Sequence, residues 1–389
     1  MADKPNLVLT KQKMSIGIFP SIILVTYAFV DLIRLFEVVS VVLGNFIFVV
    51  LGLISIIYSV LKNGIRRQLP IIYFIWIYTF FGALGILLNG NMELQELIWP
   101  FAFMGVATLF LNFTINYKLT RVLYYFVVIL FISSIILSNG VDNLNMSSSR
   151  NAIGLTVLIY FSIYAISGYI HNRNLTIYPI IMGLIVSTMA IGRSGILVFL
   201  VILFLFLLFS FNRKKLNITF FFKSIFVGAF VVIILSIFYN FLEIYFTSAI
   251  INYENRGLES LRTLIWTDYL NKTFTSAGYF LFGAPISGTF ILERFSQNLH
   301  NSFLMLHAKY GIVPFIIVIL LVIKAFFHFK KENNLLYSML LITLLFRMQF
   351  DYTNFNAQLD IILFYIIFSP YMSIHDDNKN RRVGKVKEL

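Results

Sequence analysis

Long apolar runs separated by short polar connections organise this chain from end to end. A helix needs roughly 20 apolar residues to cross a bilayer. Segments near 14–33, 38–61, 70–88, 97–115, 122–138, 152–170, 175–191, 195–211, 222–247, 302–327, 335–350 and 358–374 meet or approach that length. The pattern predicts an all-α polytopic membrane protein with about twelve transmembrane helices, and an even number puts both termini on one side. The leading MADKPNLVLTKQK is polar and basic, with no small-residue cleavage site after it, so the first run reads as a retained span and not a signal peptide. No internal repeat is read in the pattern.

One connection is out of scale. Residues 248–301 form a long outer loop between spans nine and ten, whereas most other connections are short. Loops of that length in a compact fold are usually functional or disordered. Leu258, Leu261, Ile265 and Tyr269 recur at helical spacing within it, which predicts an amphipathic helix lying at the membrane surface. The whole of 1–389 reads as a single integral membrane domain, ending in a basic cytoplasmic tail over 375–389.

Basic residues set the orientation. With the N-terminus inside, 21 of the 30 Lys and Arg residues fall on inner segments. Nine fall outside: Arg34, Arg150, Arg193, Arg256, Arg262, Lys272, Arg294, Lys309 and Arg347. The bias holds loop by loop, as the positive-inside rule requires. Composition agrees with a membrane protein: 59% of residues are hydrophobic, 12% are charged and mean hydropathy is +0.86. A soluble domain carries about 25% charged residues. The net charge of +13 would point to nucleic acid in a soluble protein; here inner loops account for it, and no nucleic-acid partner is expected. Cysteine is absent, which excludes disulfides, thiolate catalysis and cysteine metal sites. There is no P-loop or dinucleotide fingerprint, no outer acid pair of the D-x-D kind and no His/Cys cluster, so neither cofactor nor metal is predicted.

Seven of the nine outer basic residues are arginine, whose planar fork binds phosphate oxygens through paired hydrogen bonds and keeps its charge. Arg193, in MAIGRSGILVF, sits between two apolar runs with almost no loop. A charge at that depth is a functional-site candidate; the plainer reading is an arginine snorkelling from a helix end. Arg262, in ESLRTLIW, shares a helical face with Trp266, or is simply a surface residue paired with Glu259. Arg256 has Glu254 beside it. Arg150 opens the sixth span, with serines and an asparagine that suit a helix cap. Of five histidines, only His300 and His307 fall outside. His300, in QNLHNSFLMLHAKYG, sits at a water-facing helix start where a proton can be exchanged near neutral pH; His307 reads as a packed polar residue. Asp351, in RMQFDYTNF, is placed either to orient His300 as a general base or to pair with Arg347 one turn back.

Together these pieces resemble the Wzy/WaaL superfamily of bacterial GT-C-type membrane glycosyltransferases, which comprises O-antigen and capsule polymerases and O-antigen ligases. The resemblance rests on the intramembrane arginine in IGRSG and on the long outer loop with LRTLIW, similar to the family's R-x-x-x-W. It rests also on HNSFLMLHAKYG, similar to an H-[NS] element followed about ten residues later by glycine, and on the twelve-span layout. It covers roughly 150–320. It implies a metal-independent enzyme of the bacterial cytoplasmic membrane and a glycan donor on undecaprenyl pyrophosphate at the outer leaflet. Arg193 and Arg262 match pyrophosphate-binding arginines, with Arg256 and Arg150 as further candidates; His300 matches the base. Asp351 lies where the ligase branch has an acid, and Asn301 and Trp266 are expected at the substrate. A chain-length regulator is an expected partner besides the lipid bilayer. The favoured expectation is a polymerase; the alternatives are a ligase acting on lipid A core and, more distantly, a twelve-span secondary transporter. HNRN between spans six and seven is too short for the long cytoplasmic loop of such transporters.

Overall fold

The computed structural model describes residues 17–146, 150–213, 262–288, 298–355 and 357–372. Helices are the only regular elements among them. In order they are α1 (Ile18–Leu35), α2 (Val41–Asn63), α3 (Ile65–Asn89), α4 (Trp99–Asn112), α5 (Tyr117–Leu137), α6 (Asn151–Ile170), α7 (Ile177–Met189) and α8 (Arg193–Arg213). After the gap come α9 (Arg262–Thr273), α10 (Ala277–Phe282), α11 (Ser302–Tyr310), α12 (Ile312–Lys331), α13 (Leu335–Phe350) and α14 (Asp360–Met372). A 3-10 turn, Leu94–Ile98, leads into α4.

The protein is a membrane protein by the character of these helices. Seven are long and apolar enough to cross a bilayer: α1, α2, α3, the unit Leu94–Asn112, α5, α6 and α12. Shorter apolar helices occupy four further predicted segments, as α7, the Arg193–Phe209 part of α8, α13 and α14. The predicted span 222–247, the parts 248–261 and 289–297 of the outer loop and the tail 375–389 lie outside the described residues.

Burial orders the bundle. α6 is apolar all round, and 83% of its spanning window is buried against 28% for α2 and 33% for α3, α5 and α12. A helix without a polar face belongs in the middle, and α14 joins it there, with Ile361, Leu363, Ile366 and Ile367 inaccessible. The outer helices carry exposed Phe29, Val42, Leu61, Leu87, Leu137 and Phe327, a surface suited to lipid. α2 and α4 cross so closely that a Cβ on Gly52 would lie 2.2 Å from the Phe101 carbonyl oxygen.

One predicted span is corrected. The run 302–327 is not a single helix; it breaks at Gly311 into α11 and α12. Gly311 has φ 75° and ψ −172°, a region essentially reserved for glycine, and a Cβ there would sit 2.2 Å from the Leu281 carbonyl oxygen at the end of α10. The contact is reciprocal, since a Cβ on Gly283 would sit 2.2 Å from the Ala308 carbonyl oxygen. Close backbone approach to α10, invisible to hydropathy, turns α11 out of the line of α12.

α7, α13 and α14 are short. At 1.5 Å per residue, α7 with 13 residues and α13 with 16 extend about 20 and 24 Å, against a hydrocarbon core of about 30 Å. α7 ends four residues before Arg193, α13 is followed directly by Asp351, and α14 begins at Asp360.

Candidate functional site

The site is built where α8, α9, α11 and the end of α13 meet. α9 presents Ile265 and Tyr269, both essentially inaccessible, to a small second core of Ala284, Ile286, Leu299, Met305 and Ala308. Of the four residues expected to form an amphipathic face, Ile265 and Tyr269 are buried against protein, while Leu258 and Leu261 lie outside the described residues; Leu264 and Leu270 of the same helix are exposed. Trp266 Nε1 donates to the Leu299 carbonyl at 2.8 Å, tying the R-x-x-x-W helix to the segment that carries His300.

The HNS triplet divides its work. His300 has φ 49°, an unusual value for a residue with a side chain. Asn301, not His300, caps α11: its Oδ1 accepts from the Phe303 and Leu304 amides at 2.9 and 3.1 Å, and its Nδ2 donates to Gln349 Oε1 at 3.2 Å. Asn301 thus positions the site through α13. Ser302 Oγ donates to the Asp351 carbonyl at 2.8 Å and accepts from the Thr353 amide at 3.0 Å, which pins the turn after α13 under His300.

Asp351 meets both partners proposed for it. Its Oδ2 accepts from Arg347 Nη2 at 3.3 Å, and its Oδ1 lies 3.8 Å from His300 Nδ1, within ion-pair range though beyond a hydrogen bond. The His300 side chain keeps 32% of its surface exposed against 17% for Asp351, so the imidazole is the member a substrate can reach. Burial pushes the Asp351 carboxyl up, but His300, Arg347 and the Tyr352 amide outweigh it and hold the group below its ordinary range.

Two arginines act on this pair, and Arg193 acts on one of them. Burial lowers the half-buried Arg262, which also feels the charges of Asp351 and Arg193. Arg262 acts in turn on Arg347. Arg193 begins α8, directly after a tight turn in which Ile191 has φ 51°. A β-branched residue in that region is strained by about 1–3 kcal/mol, the kind of strain found at functional sites. Arg193, Arg262, Arg347 and Asp351 together carry three positive charges and one negative.

Arg347 is the residue that the sequence reading undervalued. It is 1% exposed, and its Nη1 is buried without a hydrogen-bond partner among the described residues. The available signal was a lone charge inside the last outer turn of an apolar helix, passed over as the plain partner of Asp351. Arg150 pairs its guanidinium with Asp142 at 2.5 Å in a half-exposed contact, its backbone carbonyl approaches Gly192, and its own side chain makes no cap on α6; the serines expected to cap that helix lie outside the described residues. Arg256 lies outside the described residues.

His307 is a packed residue. Its Nε2 faces the Phe280 carbonyl at 2.9 Å, so this nitrogen carries the proton and Nδ1 accepts from the Tyr269 hydroxyl at 2.6 Å. Burial lowers its proton affinity, with the Phe280 carbonyl acting against it. Lys309 is buried against Glu96 and lies 5.1 Å over the Tyr352 ring, and Asn91 Nδ2 donates to the Ala308 and Phe282 carbonyls. These contacts fix the floor of the site. Among the described residues no group of three His, Asp or Glu side chains is placed to hold a metal. No family model matches the chain, and no curated protein matches it.

Proposed function

We propose that this chain is a polysaccharide polymerase that transfers an undecaprenyl-pyrophosphate-linked glycan onto the next lipid-linked repeat unit, at the outer leaflet of a bacterial cytoplasmic membrane with both termini cytoplasmic. The observation that carries this reading is that Arg262 and Arg347, from separate helices, act on Asp351 of the His300–Asp351 pair, with Arg193 at the start of a third helix acting on Arg262. Three guanidiniums and one carboxylate leave a surplus of positive charge in a partly buried place, which suits a dianionic leaving group such as a sugar-linked pyrophosphate. A lipid-linked pyrophosphate presented at the outer leaflet would meet these charges at the ends of apolar helices.

The chemistry follows from the geometry. Asp351 faces the Nδ1 side of His300, and in the proposed reaction Nε2 serves as the base. It takes the proton of the acceptor hydroxyl as the oxygen attacks the anomeric carbon. The bond from that carbon to the pyrophosphate oxygen breaks with its electron pair, the arginines stabilise the departing charge, and the imidazolium later releases its proton to solvent. The donor already carries the energy of the reaction, so no nucleotide is required. Fixed charges in a partly dry site stabilise developing charge far better than water does, and loss of one such donor typically lowers the rate about 10²–10³-fold.

The test is reconstitution with a single lipid-pyrophosphate repeat and no other acceptor, read as a ladder on a gel. A ladder that disappears in His300→Ala and falls about 10²-fold in Arg262→Gln, with both variants melting like wild type, supports the reading. No ladder from folded protein and authentic repeat overturns it, and transfer only after addition of lipid A core assigns a ligase instead.

A further inference from the structure

Far from this site, α5 and the 171–176 connection enclose a groove of about 810 Å³. One end is basic: Lys118 and Arg121 stand on the first turns of α5, and Arg173 reaches it from the connection that follows α6. None of the lining residues is acidic, and the first turn of α5 carries no acid either. Beyond the cations the lining turns apolar, with Val122, Phe126 and Ile129. Lys118, Val122, Phe126 and Ile129 recur at spacings of four, four and three, so they form one stripe along the helix. The stripe extends about 16 Å at 1.5 Å per residue, close to half of a hydrocarbon core of about 30 Å. Tyr117 and Tyr125 stand where the basic end meets the apolar stripe, the level at which amphipathic rings concentrate in a bilayer. Tyr117 is fixed there by its hydroxyl, 3.4 Å from that of Tyr164.

We propose that this groove binds an anionic phospholipid of the surrounding membrane, with the headgroup phosphate between Lys118, Arg121 and Arg173 and one acyl chain along Val122, Phe126 and Ile129. The charge pattern selects among lipids. A zwitterionic headgroup brings its own cation against three others, whereas an anionic one brings only charge that the arginine forks and the lysine satisfy. The length of the stripe selects a lipid over a free phosphate, because an ion alone leaves the apolar half of the groove without an occupant. The positive-inside pattern assigns this end of α5 to the cytoplasmic leaflet, opposite the transferase site. The inference does not depend on the transferase reading, since it is read as bound lipid and not as activity.

The experiment uses the full chain in nanodiscs of phosphatidylcholine with or without phosphatidylglycerol. Native mass spectrometry counts retained lipid, and thermal midpoints report stabilisation. Wild type is expected to retain phosphatidylglycerol and to melt higher when it is present. Lys118→Gln/Arg121→Gln/Arg173→Gln is expected to bind it about a hundredfold more weakly, at about five-fold per cation, while melting like wild type in phosphatidylcholine alone. Val122→Trp, which fills the apolar stripe and keeps every cation, is expected to lose the lipid as well. Equal retention by wild type and the triple variant overturns the proposal. So does protection by inorganic phosphate equal to that by phosphatidylglycerol, which would assign a soluble anion.

Discussion

Arg347 reaches Asp351 from one turn back on α13, and the two side chains are 2% and 17% exposed. Removing one member of so buried a pair strands the other without its counter-charge, at about 3–5 kcal/mol. Arg347→Ala is therefore expected to lower the thermal midpoint strongly, and Arg347→Ala/Asp351→Ala to restore part of the loss. Strictly additive midpoints would show that the pair is not coupled. The pH dependence follows in sign. The Asp351 carboxyl is held below its ordinary value, so its stabilising contribution is fully present above the unfolded value of about 3.9 and disappears only as pH falls through the folded one. The penalty of Asp351→Asn should accordingly be lost only as pH falls below about 3.9; a penalty that already shrinks between pH 8 and pH 5 would show that the carboxyl is not held down. Arg193, Arg262, His300 and Asp351 were legible because charged or titratable groups at the ends of apolar runs stand out. Arg347 was not, because sequence shows its neighbour four residues on but not the helices that close over both. Asp31 was passed over for the same reason: its carboxylate, buried in α1, accepts from Gln358 Nε2 at 2.5 Å, a partner 327 positions away.

At the scale of elements, the site depends on α9, α10 and α11 holding one another. His307 is the joint, receiving the Tyr269 hydroxyl from α9 and donating to the Phe280 carbonyl of α10. α11 is not one of the helices long and apolar enough to cross a bilayer. Its folded form resists protonation, whereas the unfolded chain takes a proton near pH 6.5. Below that pH the unfolded state binds more protons, and stability must fall as pH is lowered, by at most about 1.4 kcal/mol per pH unit. The midpoint of wild type should therefore drop between pH 7 and pH 5.5 more steeply than that of His307→Gln. Parallel slopes would remove His307 from the joint. Gly311 sets the geometry of the same unit. Gly311→Ala forces a side chain into a glycine-only region against the Leu281 carbonyl, with an expected loss of at least about 1–3 kcal/mol seen as a lower midpoint. An unchanged midpoint would mean that the break between α11 and α12 is soft. Sequence supplied the glycine and the helical spacing of Ile265 and Tyr269 on α9, but expected Asn301 at the substrate and not as the cap of α11. It could not supply the break, because apolar residues continue from α11 into α12 and hydropathy has no term for one backbone pressing on another.

For the molecule as a whole, the contacts agree with a chain that crosses repeatedly from one end of the bundle to the other. Gln68 near the start of α3 bonds Asn112 at the end of α4, and Tyr117 at the start of α5 meets Tyr164 and His171 near the end of α6. At the opposite end Asn89 and Asn91, after α3, bond the carbonyls of Gly283 and Ala308, and His300 meets Asp351. Each pair joins segments that alternation puts on the same side, and among the described residues seven helices reach full spanning length. Alternation fixes which segments share a side but not which side faces the cytoplasm; that step rests on the basic residues alone. The chain has no cysteine, so a single introduced thiol reports its own location without background. Cysteine at Asn172 or Asn333, in connections at the basic end, should be protected from a membrane-impermeant maleimide in intact cells and labelled after lysis. Cysteine at Asn139 or Thr275, at the site end, should be labelled in both. The reverse pattern would place the arginine cluster in the cytoplasm, where nucleotide-activated donors are at hand, and the case for a lipid-pyrophosphate substrate would lose its foundation. Labelling from both sides at a single position would instead mean that the crossings do not alternate, and the short helices around the site would then be re-entrant segments and not spans.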